Sequence, residues 1–317
     1  MTDGAVEDGP SSFNQSSVTN GSTCVPVDRS ADIFFMAVHG LVFLVGLPLN
    51  GFILAFFFCR GHRRAPGSLA VYLKNLAVAD FWLCLCLPLR MANYNRRYAT
   101  IHLLNCNLGA SVLFLNVYAS IVFTGYIAII RYLKVVQPLG THILQRVMAS
   151  HLVSTVTWGF LLGVTSAFTS SFLKQKSSPS SNLVECQGLS SVLYEIVYAC
   201  STILFLTVLV FLLFCYYNIS RRVSLAQRGQ PPSSCSTKLA KSRRKMLALV
   251  SVFCFCFVPY HLLLLPKHYL WSCSWGKFFY YATEISIMMS VLNVCLDPLI
   301  YFYLCKRFRA QFRLFES

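Results

Sequence analysis

A long uncharged segment near the beginning of the chain decides what kind of fold is available to it. From Ile33 to Cys59 the sequence contains no aspartate, glutamate, lysine or arginine. About 20 apolar residues are enough to cross the hydrocarbon core of a bilayer as a helix, so this segment predicts a membrane-spanning helix. Six further segments have the same character, and the seven predicted spans are residues 33–59, 69–91, 103–130, 148–172, 190–219, 246–266 and 277–304.

The composition agrees with a chain that lies mostly in lipid. Hydrophobic residues make up 56% of it and charged residues 12%, whereas soluble domains carry about 25% charged residues. We therefore predict an all-α membrane protein, a seven-transmembrane helix bundle with a short amphipathic C-terminal helix. Its expected parts are an extracellular glycosylated N-terminus (1–32), the bundle (33–304) and a cytoplasmic amphipathic helix and tail (305–317).

The distribution of positive charge predicts the orientation of the bundle. The net charge of +16 is concentrated in the segments that follow the first, third, fifth and seventh spans, and such basic segments lie in the cytoplasm. This interpretation explains the charge without nucleic acid as a partner. It predicts a multi-pass plasma-membrane protein with its N-terminus outside, where glycosylation sequons begin at Asn14 and Asn20.

The same orientation places four of the 14 cysteines outside the cell, where oxidising conditions favour disulfides. We predict the pairs Cys106–Cys186 and Cys24–Cys273, and the alternative is that Cys24 is free. The other cysteines show no spacing typical of a metal site.

Two segments on the inner side have a distinct composition. Residues 220–245 are predicted to be a long loop, in which a linker rich in Gly, Pro and Ser precedes the basic run from Lys238 to Lys245. Basic and aromatic residues alternate from Lys306 to Arg313, which predicts the short amphipathic helix on the inner membrane surface, in contact with membrane lipids.

Polar side chains recur inside the predicted spans, where an ionisable group usually marks a functional site. Asn116 and Ser120 are four residues apart on the third span, and Asn293 and Asp297 repeat this spacing on the seventh, so each pair shares a helix face. If these faces meet Asp80 of the second span, oxygen-bearing groups converge that suit a hard cation. We predict a cation site or switch, with Na⁺ at Asp80 as the candidate ion and no other cofactor. The alternative is a hydrogen-bond network that only packs helices.

Several motifs, in order along the chain, resemble those of the class A, rhodopsin-like G-protein-coupled receptors, and the resemblance covers residues 33–314. The motifs are Gly46-x-x-x-Asn50, Leu76-Ala77-x-Ala79-Asp80, Cys106, Arg131-Tyr132, Trp158, Phe253-x-x-Cys256-Phe257-x-Pro259 and Asp297-Pro298-Leu299-Ile300-Tyr301. The resemblance implies a receptor, not an enzyme, that transmits an extracellular signal to a heterotrimeric G protein.

The resemblance also implies roles in activation. In the family one arginine meets the G protein, two tyrosines turn inward, and an aromatic residue changes rotamer beneath the ligand pocket, close to a proline that kinks its helix. On this chain the corresponding activation-switch residues are Arg131, Tyr216, Phe253, Phe257, Pro259 and Tyr301.

The chain departs from the family pattern immediately before this arginine. Ile130 replaces an acid that pairs with the arginine in relatives and helps to hold the resting state. If the resting state loses about 1.4 kcal/mol of stability relative to the active state, the active fraction rises about tenfold. We therefore hypothesise raised basal activity, and the alternative is that another group holds Arg131.

The outer ends of the helices are basic and aromatic and face few acids. Leu113 also replaces the aspartate of amine receptors, so we expect an anion with a hydrophobic body and not a cationic amine. The candidate ligand-binding residues are Arg90, Tyr94, Arg96, Arg97, Tyr260, His261 and Lys267. For the loop residues Arg96 and Arg97 the alternative is a solvated position without a ligand.

Shorter matches resemble two groups within the class. Residues 87–97 look like hydroxycarboxylic-acid and oxo-eicosanoid receptors, and residues 257–261 look like purine-nucleotide and platelet-activating-factor receptors. Val117 and Leu264 stand where these groups carry ligand-binding cations, so the ligand stays open among an anionic lipid, a small carboxylate and a nucleotide-like anion. This branch often uses Gi/o proteins, and we expect the same coupling here.

Other classes of function explain fewer of these features. A transporter or channel would use the region of Asp80 and Asp297 as an ion path, but the sequence shows no duplicated halves. An intramembrane enzyme would need motifs such as His-Glu-x-x-His or Gly-x-Ser-x-Gly, which the sequence lacks. The main alternative is a non-signalling or scavenging seven-helix receptor, because Ile130 departs from the signalling pattern.

Overall fold

The computed structural model describes residues 30–60, 67–95, 98–136, 145–176, 191–228, 234–270 and 275–304. Eight α-helices run through these ranges: α1 (Asp32–Arg60), α2 (Ser68–Tyr94), α3 (Ala99–Leu104), α4 (Ala110–Val136), α5 (Val147–Lys176), α6 (Ser191–Arg228), α7 (Ser234–Leu270) and α8 (Gly276–Leu304). A π-helical turn, Asn105–Gly109, joins α3 to α4, so these two helices form one continuous element.

Seven elements in the described ranges are long and apolar enough to cross a membrane, and the joined α3 and α4 count as one of them. Each predicted span overlaps one of these elements. The predicted all-α bundle with seven transmembrane helices is therefore confirmed.

The prediction of a long inner loop over residues 220–245 is wrong in its extent. α6 continues to Arg228 and α7 already begins at Ser234, so most of this segment is helical. The reason is the composition after the Gly-Pro linker, because Lys, Arg, Ala and Leu are good helix formers. α6 and α7 contain 38 and 37 residues, more than the roughly 20 that a bilayer requires, so both helices extend beyond it.

The α4 helix lies at the centre of the bundle. In its membrane window 72% of the residues are buried, compared with 22% in α1 and 17% in α6. Small residues let neighbouring helices approach α4 closely, and a Cβ on Gly125 would lie 3.4 Å from Val208 of α6. α4 contacts α2, α5, α6 and α7, so it is surrounded by four other helices.

A close contact between α1 and α8 closes the bundle. A Cβ on Gly46 would lie 2.6 Å from Val294 Cγ1 and 3.1 Å from Cys84 Sγ, so glycine alone fits at this position. One turn later Asn50 Nδ2 donates to the backbone carbonyls of Gly46 and Val294, at 3.0 and 2.9 Å. Lipid offers a carbonyl no hydrogen bond, so this side chain stabilises the contact.

Candidate functional site

The predicted polar network is assembled in the middle of the bundle. Asn116 Nδ2 of α4 donates to Asp80 Oδ1 of α2 at 3.0 Å. Asn293 Nδ2 of α8 donates to Ser120 Oγ of α4 at 3.2 Å and to Asp297 Oδ2 at 3.0 Å. All five side chains are buried. The predicted convergence of three spans is therefore confirmed, while a role for the network as a cation site or switch stays a prediction.

The network contains oxygen atoms that accept no hydrogen bond from the described residues and that suit a hard cation. Asp80 Oδ2 and Asn116 Oδ1 are buried and have no hydrogen-bond partner among the residues that the structure describes. Asp80 and Asp297 also interact electrostatically. Two close carboxyl groups cannot both stay charged without a counter-ion, and oxygen ligands of this kind suit Na⁺ or a shared proton.

An aromatic stack on α7 contains two of the predicted switch residues. The rings of Phe253 and Phe257 meet edge to face, with centroids 5.3 Å apart. Phe205 of α6 stacks on Phe253 at 5.8 Å and on His261 at 3.9 Å. His261 Nδ1 lies 2.8 Å from the carbonyl oxygen of Phe257, and its Nε2 lies 3.4 Å from Tyr118 Oη. The predicted ligand residue His261 is therefore buried among partners from three helices.

The ends of α1, α2 and α8 that the sequence predicts to lie outside the cell, called the outer ends here, meet at an ion pair. Arg90 Nη2 donates to Glu284 Oε2 at 2.9 Å, and Tyr94 Oη donates to the same oxygen at 2.6 Å. Arg90 Nε donates to His39 Nε2 at 3.2 Å. The side chains of Arg90 and Glu284 are each 17% exposed, so little of the pair faces its surroundings. We call His39, Arg90, Tyr94 and Glu284 the outer corner.

Arg131 has a different kind of partner at the opposite end of the bundle, which is predicted to lie inside the cell and is called the inner end. Its Nη2 donates to the backbone carbonyl of Leu304, the last residue of α8, at 2.8 Å. A carbonyl oxygen can only accept and a guanidinium group can only donate, so the two are suitable partners. Ile130 is 1% exposed and offers no charge. A neutral carbonyl is thus one group that holds Arg131.

The remaining predicted residues lie on α6, α7 and α8. Tyr301 is buried, and its hydroxyl has no partner among the described residues. Tyr216 of α6 is partly buried against the apolar core. Pro259 lies within α7, and the Tyr260 ring is centred 5.2 Å from that of His261.

Several predicted residues lie outside the part of the chain that the structure describes. They are Asn14, Asn20, Cys24, Arg96, Arg97, Cys186, Cys273 and the C-terminal segment 305–317. Lys267 belongs to α7, but its side chain is also outside that part. Cys106 is disulfide-bonded, and the prediction that Cys186 is its partner stays a prediction.

Sequence reasoning missed His39 and the partnership between Glu284 and Arg90. His39 is fully buried in α1, and an ionisable residue inside an apolar span is a signal that could have identified it. Glu284 and Arg90 are separated by 194 residues, and no local pattern relates them.

Together these features define a class of protein. Seven membrane-spanning helices surround a buried polar network, and the central helix carries an arginine at its inner end, as in seven-helix membrane receptors. The family model described as "7 transmembrane receptor (rhodopsin family)" matches residues 49–301. The chain belongs to this family of G-protein-coupled receptors. It is therefore a multi-pass plasma-membrane receptor that signals through heterotrimeric G proteins, and not an enzyme.

Individual relatives are similar over most of their length. Purinoceptor 14 of Bos taurus is 33% identical over 284 residues, which cover 86% of this chain and 82% of that receptor. G-protein coupled receptor 87 of Mus musculus is 32% identical over 316 residues, covering 96% and 85%. Purinoceptor 13 of Homo sapiens is 28% identical over 300 residues, covering 91% and 83%. These similarities support membership of this chain in the branch of the family that contains receptors for purines and lipids.

Proposed function

We propose that this receptor binds an extracellular anion with an apolar body and activates Gi/o proteins, with its N-terminus outside the cell. The observation that carries the proposal is the convergence of two donors, from Arg90 and Tyr94, on one carboxylate oxygen of Glu284. Donors in this arrangement suit a carboxylate or phosphate group of a ligand. A ligand anion would compete with Glu284 for them.

The charge around Arg90 favours an anion with one acidic group over a highly charged one. The single positive charge of Arg90 is balanced by Glu284, and Val117 and Leu264 replace cations found in related groups. A ligand with one acidic group, such as an anionic lipid or a small carboxylate, suits such a site better than a highly charged one. Two relatives carry the name purinoceptor, which supports a nucleotide-like anion as the second candidate.

We also propose that basal activity is raised. Arg131 donates to the Leu304 carbonyl among its contacts, and Ile130 offers it no carboxylate with which to form the bidentate pair that arginine makes with an acid. The missing acid at Ile130 therefore leaves the resting state with a weaker restraint. The central network would add an allosteric Na⁺ site, because a cation bound in one state alone shifts the population toward that state.

Nucleotide exchange on purified G proteins tests the function directly. The receptor is reconstituted with a panel of Gα subunits, and GTP exchange is measured without ligand and with long-chain and short-chain carboxylates. We expect exchange on Gi/o subunits that Arg131→Ala abolishes, and a carboxylate response that Arg90→Ala reduces. Carboxylate binding together with background exchange on every subunit would instead support the scavenging receptor, the alternative that Ile130 favours. The absence of both binding and exchange would contradict both proposals.

A further inference from the structure

We propose that His39 is a proton-binding site that releases α1 from α2 when the outside of the cell becomes acidic. His39 belongs to the outer corner but is not needed for the contacts of the proposed ligand anion with Arg90 and Tyr94. The proposal therefore concerns a second input, the proton, and it does not depend on the identity of the ligand or of the G protein.

The hydrogen bonds of His39 determine where its proton lies. A guanidinium group has no acceptor, so Arg90 Nε donates and His39 Nε2 accepts, at 3.2 Å. His39 Nδ1 lies 2.7 Å from the carbonyl oxygen of Phe35, and a carbonyl oxygen can only accept, so Nδ1 carries the proton. The observed contacts thus require the neutral imidazole.

Few groups are available to compensate a charge on His39. The side chain is 0% exposed, and α1 packs against α2 and α8. The titratable groups in contact with it are Arg90 and Tyr94 of α2, and Glu284 of α8 accepts from both of them. Nearer the start of α1, Tyr281 of α8 contacts Phe35 and Tyr280 donates to Asp32. Arg90 and Glu284 are the charges that act on His39, and the Oε2 atom of Glu284 already serves Arg90 and Tyr94.

A second proton on His39 would oppose this arrangement in two ways. Nε2 would become a donor that faces the Nε donor of Arg90, so their hydrogen bond would be lost. Two positive charges would also stand side by side in a buried position, where repulsion is poorly screened. Protonation therefore favours a structure in which His39 has moved away from Arg90, and His39 lies on α1 where that helix packs against α2.

Protons can reach this position from the proposed outer side. His39 lies seven residues after the first residue of α1, which corresponds to about 10 Å along a helix. Histidine changes charge between about pH 5 and 8. The structure in which His39 lies beside Arg90 requires the neutral imidazole, whereas a structure in which His39 has moved away takes up a proton freely. The contact of α1 with α2 is therefore most stable at neutral pH and becomes less stable as the pH falls.

Thermal melting and amide hydrogen exchange of the full-length receptor in lipid nanodiscs test the proposal, at about pH 7.5 and about pH 5.5, on either side of histidine titration. His39→Gln is the informative variant, because its side-chain carbonyl can accept from Arg90 but cannot take up a proton. His151→Gln is the matched control, because His151 of α5 is exposed and lies outside the outer corner.

In the wild type we expect acid to lower the melting temperature by several degrees and to speed exchange in the outer turns of α1 and α2, after correction for intrinsic rates. His151→Gln should keep this acid effect and His39→Gln should lose most of it. Arg90→Gln removes the opposing cation and should weaken or reverse the effect, which keeps the test decisive if His39→Gln folds poorly. An acid effect of wild-type size in both His39→Gln and Arg90→Gln would overturn the proposal.

Discussion

The outer and inner ends of the helix bundle each hold an arginine, and they hold it by different means. Arg90 donates to the imidazole of His39 on α1 and to the carboxylate of Glu284 on α8. The same carboxylate also accepts from Tyr94. Arg131 contacts the backbone carbonyl of Leu304. Ionised partners make the stronger hydrogen bonds, so the outer ends of the helices are joined more firmly than this contact joins α4 to α8. The difference suits a receptor that must open at its inner end to admit a G protein.

Removal of the outer carboxylate is expected to have the largest effect on stability. Glu284→Gln keeps the side-chain shape but leaves Arg90 without a counter-ion among the described residues, which costs about 3–5 kcal/mol of folding free energy. Thermal unfolding in detergent measures this loss. The double variant Arg90→Gln with Glu284→Gln removes both charges and should recover most of it. A double variant as unstable as Glu284→Gln would show that the charge pair is not what joins the outer ends.

A substitution in the middle of the bundle, between its two ends, tests how tightly α1 packs against α8. Gly46→Ala places a Cβ 2.6 Å from Val294 Cγ1, and such overpacking costs about 1–3 kcal/mol. The control is Gly159→Ala on α5, where, apart from the helix's own backbone and the two chain neighbours, no atom of the described residues lies within 4 Å of the added Cβ, so no loss is expected. Thermal unfolding compares the stability of the two variants. Equal stability would mean that α1 and α8 are not tightly packed at Gly46.

The inner arginine is expected to contribute less to stability than the outer pair. Arg131→Met removes the donor to the Leu304 carbonyl, and a hydrogen bond of a charged group to a neutral acceptor contributes about 1.5 kcal/mol. Thermal unfolding beside Glu284→Gln compares the two ends directly. A larger loss for Arg131→Met than for Glu284→Gln would reverse the comparison.

The smallest effect is expected from a single hydroxyl of the outer corner. Tyr94→Phe removes the 2.6 Å hydrogen bond to Glu284 while Arg90 keeps its counter-ion, so the loss is about 1 kcal/mol. Tyr98→Phe is the matched control, because Tyr98 is 64% exposed and should tolerate the change. If the two variants melt at the same temperature, Tyr94 does not contribute to the outer corner.

The sequence predicts the middle of the bundle better than its ends. Asn293 and Asp297 share a face because four residues make about one helical turn, and an ionisable group such as Asp80 in an apolar span must face the interior. Local periodicity is therefore sufficient to bring the central network together. It is also sufficient to locate the spans, because burial in lipid imposes a length and a composition on each one.

The partners of the two arginines depend on contacts that periodicity does not encode. Arg90 and Glu284 are far apart in sequence, and their pairing follows from the close approach of α1 and α8 at Gly46 and of α1 and α2. The partner of Arg131 is a backbone carbonyl, which every residue possesses, so no residue type identifies it. The loop predicted over residues 220–245 is too long because the linker rich in Gly, Pro and Ser occupies only the middle of that segment, and exposed helices carry basic residues like those after Ser234.

The measurement that tests the central claim most directly is ligand-independent GTP exchange with a carboxylate restored beside the inner arginine. Ile130→Asp supplies the missing acid, and Ile130→Asn supplies a side chain of similar size and polarity without the charge. If the weak restraint on Arg131 raises basal activity, exchange by the wild type lies well above background. It should fall about tenfold in Ile130→Asp, as about 1.4 kcal/mol of added resting-state stability requires, and it should fall less in Ile130→Asn. Background exchange by the wild type, or equal exchange by the two variants, would contradict the account.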